Sequence, residues 1–167
     1  MSPRVILVGA PGCGKTTVGL LLADRLGIAF RDTDADVEAL TGMSISELFV
    51  ERGEEYFRDL ESEAVRAAIS SHDGVLSLGG GAVMREETRD ALRGRHVVYL
   101  EVDAAEAARR VGLNTARPLL LGNVRGQLST LLQQRRAVYE SVATVTVNTV
   151  GRPAEEVADA IAGRLVA

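Results

Sequence analysis

A glycine-rich stretch near the start of the sequence has the residue types and spacing of a phosphate-binding loop. It reads Gly9-Ala-Pro-Gly-Cys-Gly-Lys-Thr16 and matches the pattern G-x-x-x-x-G-K-[S/T]. The apolar, β-branched run Val5–Val8 precedes it, and apolar residues at helical spacing follow it. A strand, a glycine loop and a helix N-terminus in this order direct backbone N–H groups toward a phosphate. The sequence therefore predicts a nucleoside triphosphate site, with Lys15 on the β- and γ-phosphates and Thr16 on Mg²⁺.

The basic residues also single out Lys15. Of the 19 lysines and arginines, Lys15 is the one lysine. A lysine that persists in so arginine-rich a chain is expected to do something that a guanidinium cannot. A compact point charge on a flexible stem is such a feature. No N-K-x-D motif, with which a GTPase would read guanine, is present.

Polar and glycine residues follow the predicted strands. Asp32 and Asp34 come after the second, and Gly79–Gly81 after the third. Ligands of open α/β sheets bind at the carboxyl ends of the strands, so these residues are candidates for a second substrate site. Alternatively, the aspartates could cap the next helix and the glycines could form a plain turn. A further alternative is that the strand at 97–101 is a Walker B strand.

The alternation of strands and helices predicts a three-layer α/β/α fold with a central five-stranded parallel sheet, and the phosphate loop makes it a P-loop fold. The loop that follows the helix at 104–111 is expected to be a mobile lid. We expect a single domain, 1–167, with the phosphate loop at 9–16, substrate-binding helices at about 33–70 and the lid at about 112–124. Strands are predicted at 5–8, 28–30, 74–78, 96–102 and 143–147, and helices at 16–26, 34–40, 44–50, 54–70, 104–111, 127–139 and 153–166.

Composition excludes several classes of protein. Hydrophobic residues make up 46% and charged residues 25%, which is typical of globular proteins and not of disordered chains. No apolar run reaches the roughly 18 residues of a membrane span, and no signal peptide is expected. The net charge of −4 argues against a nucleic-acid partner. Cys13, the one cysteine, favours a cytoplasmic location and is either a small filler or a reactive thiol.

Five further motifs, with the phosphate loop, resemble the shikimate kinase family over nearly the whole chain. They are D-T-D at 32–34, F-R at 57–58, L-G-G-G-A at 78–82, R-P-L-L at 117–120 and R-x-x-x-Y at 135–139. The resemblance implies ATP-dependent phosphorylation of the 3-hydroxyl of shikimate, a step of aromatic amino-acid biosynthesis that needs Mg²⁺. We expect the protein to be a monomer. A kinase for another polyol acid, such as gluconate, or a catalytically silent nucleotide-binding module are the alternatives.

The resemblance also implies roles for individual residues. Lys15, Asp34 and Arg117 would be catalytic, and Thr16 with Asp32 would hold the metal. The substrate would contact Asp34, Arg58, Gly79, Gly80, Gly81 and Arg135, with Phe49, Phe57 and Leu119 along its apolar side. ATP would contact Gly12, Cys13, Gly14, Lys15, Thr16, Thr17, Arg110, Arg117 and Arg152.

The sequence also leaves a choice between two neighbouring arginines and predicts no catalytic role for three other residues. Arg135 is chosen over its neighbour Arg136 because it stands four residues before Tyr139. Tyr139 itself is expected to be a core residue. His72 and His96 are expected to be solvated.

Overall fold

The computed structural model describes residues 2–113 and 124–166. Their five strands form one parallel sheet in the order β2-β3-β1-β4-β5. The strands are β1 Val5–Val8, β2 Phe30–Asp32, β3 Val75–Ser77, β4 Val97–Glu101 and β5 Val145–Asn148. The helices are α1 Lys15–Leu26, α2 Thr33–Thr41, α3 Ile45–Arg52, α4 Glu54–Ser71, α5 Glu86–Ala91, α6 Ala104–Leu113, α7 Val124–Val142 and α8 Ala154–Val166, with a 3₁₀ turn at Ala82–Met84.

The central strand shows why the sheet is covered on both faces. Val5 and Leu7 of β1 pack in a core with α1 and α8, whereas Ile6 and Val8 pack in a second core with α4 and α7. All four side chains are buried, as expected for a parallel strand between two helical layers. The predicted three-layer α/β/α fold with five parallel strands is confirmed.

The strand order sets the place of the site. β1 lies between β3 and β4. The next two strands along the chain, β2 and β3, lie on one side of β1, and the last two, β4 and β5, lie on the other. The carboxyl end of β1 is therefore the switch point, where open α/β sheets form a crevice for ligands. The loop after β1, the end of β2 and the turn after β3 all meet there. α2, α3 and α4 stand above this edge around a small core of Val37, Leu48 and Phe57.

Several predicted boundaries are wrong by a few residues. β2 lies at Phe30–Asp32 and not at 28–30, because it is an edge strand whose polar residues Arg31 and Asp32 still pair with β3. α7 begins at Val124, and α6 continues to Leu113, so the predicted lid keeps only residues 114–123, which lie outside the described residues. α5 and the 3₁₀ turn before it were not predicted.

The two histidines differ. His96 is exposed, as predicted. The prediction for His72 is wrong: its side chain is buried, and Nε2 lies 3.0 Å from the carbonyl oxygen of Val75, closing the turn between α4 and β3. Within the described ranges, no helix has the length and apolar character needed to cross a bilayer.

Candidate active site

The loop after β1 is shaped by glycines in left-handed backbone conformation. Gly12 has φ 81° and Gly14, the N-cap of α1, has φ 95°. Residues with a Cβ atom are strained in this region. The loop therefore closes tightly on the N-terminus of α1, where unpaired amides and the helix dipole attract an anion.

Lys15 folds back onto this loop. Its Nζ donates to the carbonyl oxygens of Gly9 at 2.7 Å and Ala10 at 3.4 Å, and it lies 3.7 Å from Sγ of Cys13. The ammonium is thus held at the mouth of the loop, where a phosphate could replace the carbonyls as its partner. Cys13 is only 1% exposed, which fits the interpretation as a small filler. Its reactivity stays a prediction that requires the loop to open.

Asp32 and Asp34 face the phosphate loop from the end of β2. The Asp32 side chain caps α2, with Oδ1 accepting from the Asp34 amide at 2.9 Å, and its role toward a metal stays a prediction. Asp34 does not use its carboxylate in this way. Within the described residues its Oδ1 is buried without a hydrogen-bond partner. An unsatisfied buried carboxylate oxygen is costly, so a donor supplied by water or by a ligand would stabilise it.

The electrostatics of Asp34 follow from its surroundings. The pKa of Asp34 is raised to about 6, and burial is the largest cause. The nearby carboxylates of Asp32 and Glu61 raise it further, whereas the positive charges of Lys15 and Arg58 oppose the rise. Burial likewise raises the pKa of Asp32, against the opposing effect of the Asp34 amide. Asp34 is therefore able both to accept a hydrogen bond and to take up a proton near neutral pH.

Glu61 is a buried charged residue at this edge of the sheet that the sequence interpretation missed. Its side chain is buried on α4, and it accepts from Nη1 of Arg58 at 2.7 Å. Burial raises its pKa, and the hydrogen bond from Arg58 opposes that rise. One signal was available: Glu61 stands four residues after buried Phe57 and four before buried Val65, which places it on the inward face of the helix.

Arg58 is fixed by this carboxylate and by aromatic rings. Its side chain is 16% exposed. The Arg58 Cζ atom lies 5.2 Å from the ring centre of Phe57 and 5.9 Å from that of Phe49. Glu61 holds Nη1, and Oε2 of exposed Glu54 lies 3.5 Å from Nε, so Nη2 is the nitrogen that these two carboxylates leave for an anion.

The turn after β3 approaches these charged groups too closely for any side chain. A Cβ atom at Gly79 would lie 2.5 Å from Oδ1 of Asp34 and 2.6 Å from Oε2 of Glu61. A Cβ at Gly81 would lie 2.5 Å from Nη2 of Arg58. A side chain at Gly79 or Gly81 would displace these charged groups, so close approach favours glycine at both positions beyond the needs of a plain turn.

Arg135 and Arg136 point to different places. Arg136 is 64% exposed and pairs with Glu101 at 3.2 Å and with Glu140 at 2.9 Å. Arg135 lies over the glycine turn, with its Nη1 3.6 Å from the Cβ position of Gly80. The structure thus brings Arg135, and not Arg136, to the edge that carries Asp34 and Arg58. The ion pair of Glu101 with Arg136 also disfavours a Walker B role for the end of β4.

Arg110 and Arg152 border a second cleft beside the phosphate loop. This cleft, of about 380 Å³, is also lined by Gly14, Thr17 and Pro153. Arg110 donates to the Gly12 carbonyl at 3.1 Å and to Thr149 Oγ1 at 3.2 Å, so it braces the loop. Arg152 pairs with Glu156 at 3.2 Å. Stacking of either arginine on adenine stays a prediction.

The donors available to a metal ion are oxygen atoms. Thr16 and Asp32 line the same cleft as Lys15 and Asp34. The described residues include no group of three or more His, Cys, Asp or Glu side chains that could hold a metal by themselves. Mg²⁺ commonly takes one or two carboxylates and completes its shell with substrate phosphates and water, so this donor set fits it. Arg117 and Leu119 lie outside the described residues.

Comparison with known sequences gives a consistent result. The family model described as shikimate kinase matches residues 11–166. The shikimate kinase of Thermobifida fusca is 55% identical over 99% of this chain and 96% of its own length. That of Salinispora arenicola is 56% identical over the full length of both chains.

Solved structures agree with the sequence relatives. The shikimate kinase of Acinetobacter baumannii in complex with shikimate superposes with a TM-score of 0.91 at 35% identity, covering 99% of this chain and 94% of that one. A gluconokinase from Sinorhizobium meliloti gives a TM-score of 0.60 at 20% identity, covering 99% and 92%. The second likeness shows a shared fold alone.

Proposed function

The chain belongs to the shikimate kinase family and phosphorylates shikimate with ATP, and we propose here which of its residues carry out that reaction. The family match spans nearly the whole sequence, so neither a gluconate kinase nor a silent nucleotide-binding module is favoured.

The buried, unpartnered Oδ1 of Asp34 is the observation that carries the assignment. Asp34 lines one cleft with Lys15 and Thr16 of the phosphate loop. A hydroxyl of the acceptor that donates to this oxygen would satisfy it and would face the nucleotide. We assign this place to the 3-hydroxyl of shikimate. As the new O–P bond forms and the bond to ADP breaks, Asp34 takes the hydroxyl proton.

The carboxylate of the acceptor is assigned to two guanidinium groups. Arg58, held by Glu61, and Arg135 both border the glycine turn, and their planar donors suit a carboxylate. Gly79, Gly80 and Gly81 allow the acceptor ring to approach the main chain. Phe49 and Phe57 provide the apolar side. With its carboxylate on the two arginines and its hydroxyl on Asp34, the acceptor ring would be held in one orientation toward the nucleotide. Holding the reacting groups in position lowers the barrier of the reaction.

The nucleotide is assigned to the phosphate loop and the second cleft. Backbone amides at 12–16 and the Lys15 ammonium hold the β- and γ-phosphates. Thr16 and Asp32 would hold Mg²⁺, which when bound offsets the negative charge of the phosphates. Arg110 and Arg152 border the place for adenine, and Arg117 is proposed to neutralise charge on the transferred group.

An acceptor comparison tests the assignment. The purified protein is given Mg-ATP with shikimate, quinate or gluconate, and ADP release is measured. We expect turnover with shikimate alone, because the open chain of gluconate does not hold its carboxylate and hydroxyls at a fixed spacing, and the saturated C1 of quinate changes the direction of its carboxylate. Equal turnover with gluconate would contradict the assigned pocket. Light scattering and cell fractionation test the remaining expectations of a monomer and a cytoplasmic location.

A further inference from the structure

Tyr139 on α7 forms a hydrogen bond with the glycine turn, Gly79–Gly81, that follows β3. The Tyr139 hydroxyl donates to the Gly80 carbonyl at 2.5 Å, across 59 positions of the sequence. Gly80 lies in a turn outside the strands and helices. The bond therefore joins α7 to the turn after β3 at the residue between Gly79 and Gly81.

The hydroxyl is held rigidly. The side chain of Tyr139 is fully buried, and its ring stacks on Tyr99 of β4 with the centroids 5.1 Å apart and the planes at 28°. Burial raises the pKa of Tyr139, and the adjacent positive charges of Arg135 and Lys15 oppose that rise. The phenol thus stays protonated and able to donate at neutral pH.

Tyr139 also lies one helical turn after Arg135. Residues four apart share a helix face, so both side chains approach the glycine turn from α7. The Cβ position of Gly80 is 3.6 Å from Nη1 of Arg135 and 3.2 Å from Cδ of Pro11 in the phosphate loop. A shift of Gly80 would therefore change the distance between Arg135 and the turn on which the acceptor rests.

We propose that the Tyr139 hydroxyl is a positioning group for the acceptor: by holding the Gly80 carbonyl it sets the spacing between Arg135 and the Gly79–Gly81 turn. This rests on the proposed function of that site. Tyr139 does not touch the reacting atoms and acts through Gly80 and Arg135. Loss of the hydroxyl should weaken acceptor binding and leave nucleotide binding nearly unchanged.

Tyr139→Phe tests the proposal, with Tyr99→Phe as the matched control from the same ring stack. The control removes a hydroxyl that lines a separate cleft with Glu101 and Arg136. For Tyr139→Phe we expect KM for shikimate to rise about tenfold, the effect of losing about 1.4 kcal/mol of binding, and KM for ATP to change less than about twofold. Tyr99→Phe should leave both KM values near wild type. Incorporation of 4-aminophenylalanine at position 139, which restores an N–H donor, should recover the KM for shikimate.

Other results would overturn the proposal. An unchanged KM for shikimate in Tyr139→Phe contradicts it, and so does an equal rise in both variants, which would assign the effect to ring packing. Amide hydrogen exchange over 79–82 reports on the contact without catalysis: faster exchange in Tyr139→Phe alone is expected, and equal exchange in all forms contradicts it. If wild-type protein fails to phosphorylate shikimate, the proposed function fails, and the exchange result still decides whether Tyr139 holds the turn.

Discussion

Replacing Asp34 by asparagine should make the protein more stable at neutral pH while it abolishes activity. In the folded protein, burial and the carboxylates of Asp32 and Glu61 raise the pKa of Asp34 from 3.8 to about 6. The folded state therefore binds the proton more tightly than the unfolded state does. Between these two pKa values stability falls as pH rises, because the folded state must give up a proton that the unfolded chain has already lost.

The magnitude follows from the shift. A difference of about two pKa values corresponds to about 3 kcal/mol of stability lost by pH 7 through ionisation of Asp34. At pH 4 the same group costs only about 0.5 kcal/mol, since it is protonated in the folded state and only a little more than half ionised in the unfolded chain. The asparagine side chain does not ionise. The variant should therefore gain about 2 kcal/mol more, relative to wild type, at pH 7 than at pH 4.

Urea unfolding at the two pH values measures this difference. Asp73→Asn is the matched control, because Asp73 is an exposed acid in the turn after α4, and its substitution should change stability equally at both pH values. A stabilisation by Asp34→Asn that is the same at pH 4 and pH 7, or a loss of stability confined to pH 7, would refute the reasoning. Either result would mean that the Asp34 carboxylate is well stabilised in the free protein.

Three other predictions concern the acceptor site and the metal. Gly79→Ala places a methyl group 2.5 Å from Asp34 and 2.6 Å from Glu61, so we expect a loss of about 1–3 kcal/mol in urea unfolding together with a large fall in kcat/KM. Arg135→Lys should raise KM for shikimate about tenfold, because lysine cannot form the bidentate contact, whereas Arg136→Lys should not change it. Chelation of divalent cations with EDTA should stop phosphoryl transfer, and added Mg²⁺ should restore it, while shikimate binding measured by calorimetry persists.

Each of these has a clear contrary result. Wild-type stability in Gly79→Ala would show that the turn can move away from the two carboxylates. Equal effects of the two arginine substitutions would place both residues at the acceptor, or neither. Undiminished transfer in EDTA would remove the metal from the assignment of Thr16 and Asp32.

The local features of the site could be predicted from the sequence because short-range chemistry determines them. The phosphate loop is a contiguous motif, and its glycines adopt the left-handed conformation that the pattern requires. The capping box at Ser44 and Glu47, which spacing alone predicts, is present in α3. The choice of Arg135 over Arg136 also rested on spacing along one helix. The structure brings Arg135 to the glycine turn, at the sheet edge that carries Asp34 and Arg58.

Features that depend on tertiary burial could not be predicted in the same way. Helical spacing places Glu61 on the inward face of α4, but the residue stands among other acids, and its pairing with Arg58 beside the glycine turn appears only in the packed structure. The brace from Arg110 to the phosphate loop joins residues 98 positions apart and has no sequence signal. The prediction for His72 was wrong for the same reason, since a hydrogen bond to Val75 inside a turn permits the burial of a polar ring.

The most direct test of the account compares phosphoryl transfer with nucleotide binding in Asp34→Asn. Wild type and variant are mixed with ATP, Mg²⁺ and shikimate, transfer is followed by rapid quench in a single turnover, and ATP affinity is measured by calorimetry. The account predicts transfer slower by about a hundredfold or more, with ATP affinity within about twofold of wild type, because Asp34 acts on the acceptor and the phosphate loop holds the nucleotide. Transfer at the wild-type rate would contradict the role of Asp34, and a parallel loss of ATP affinity would contradict the separation of the two sites.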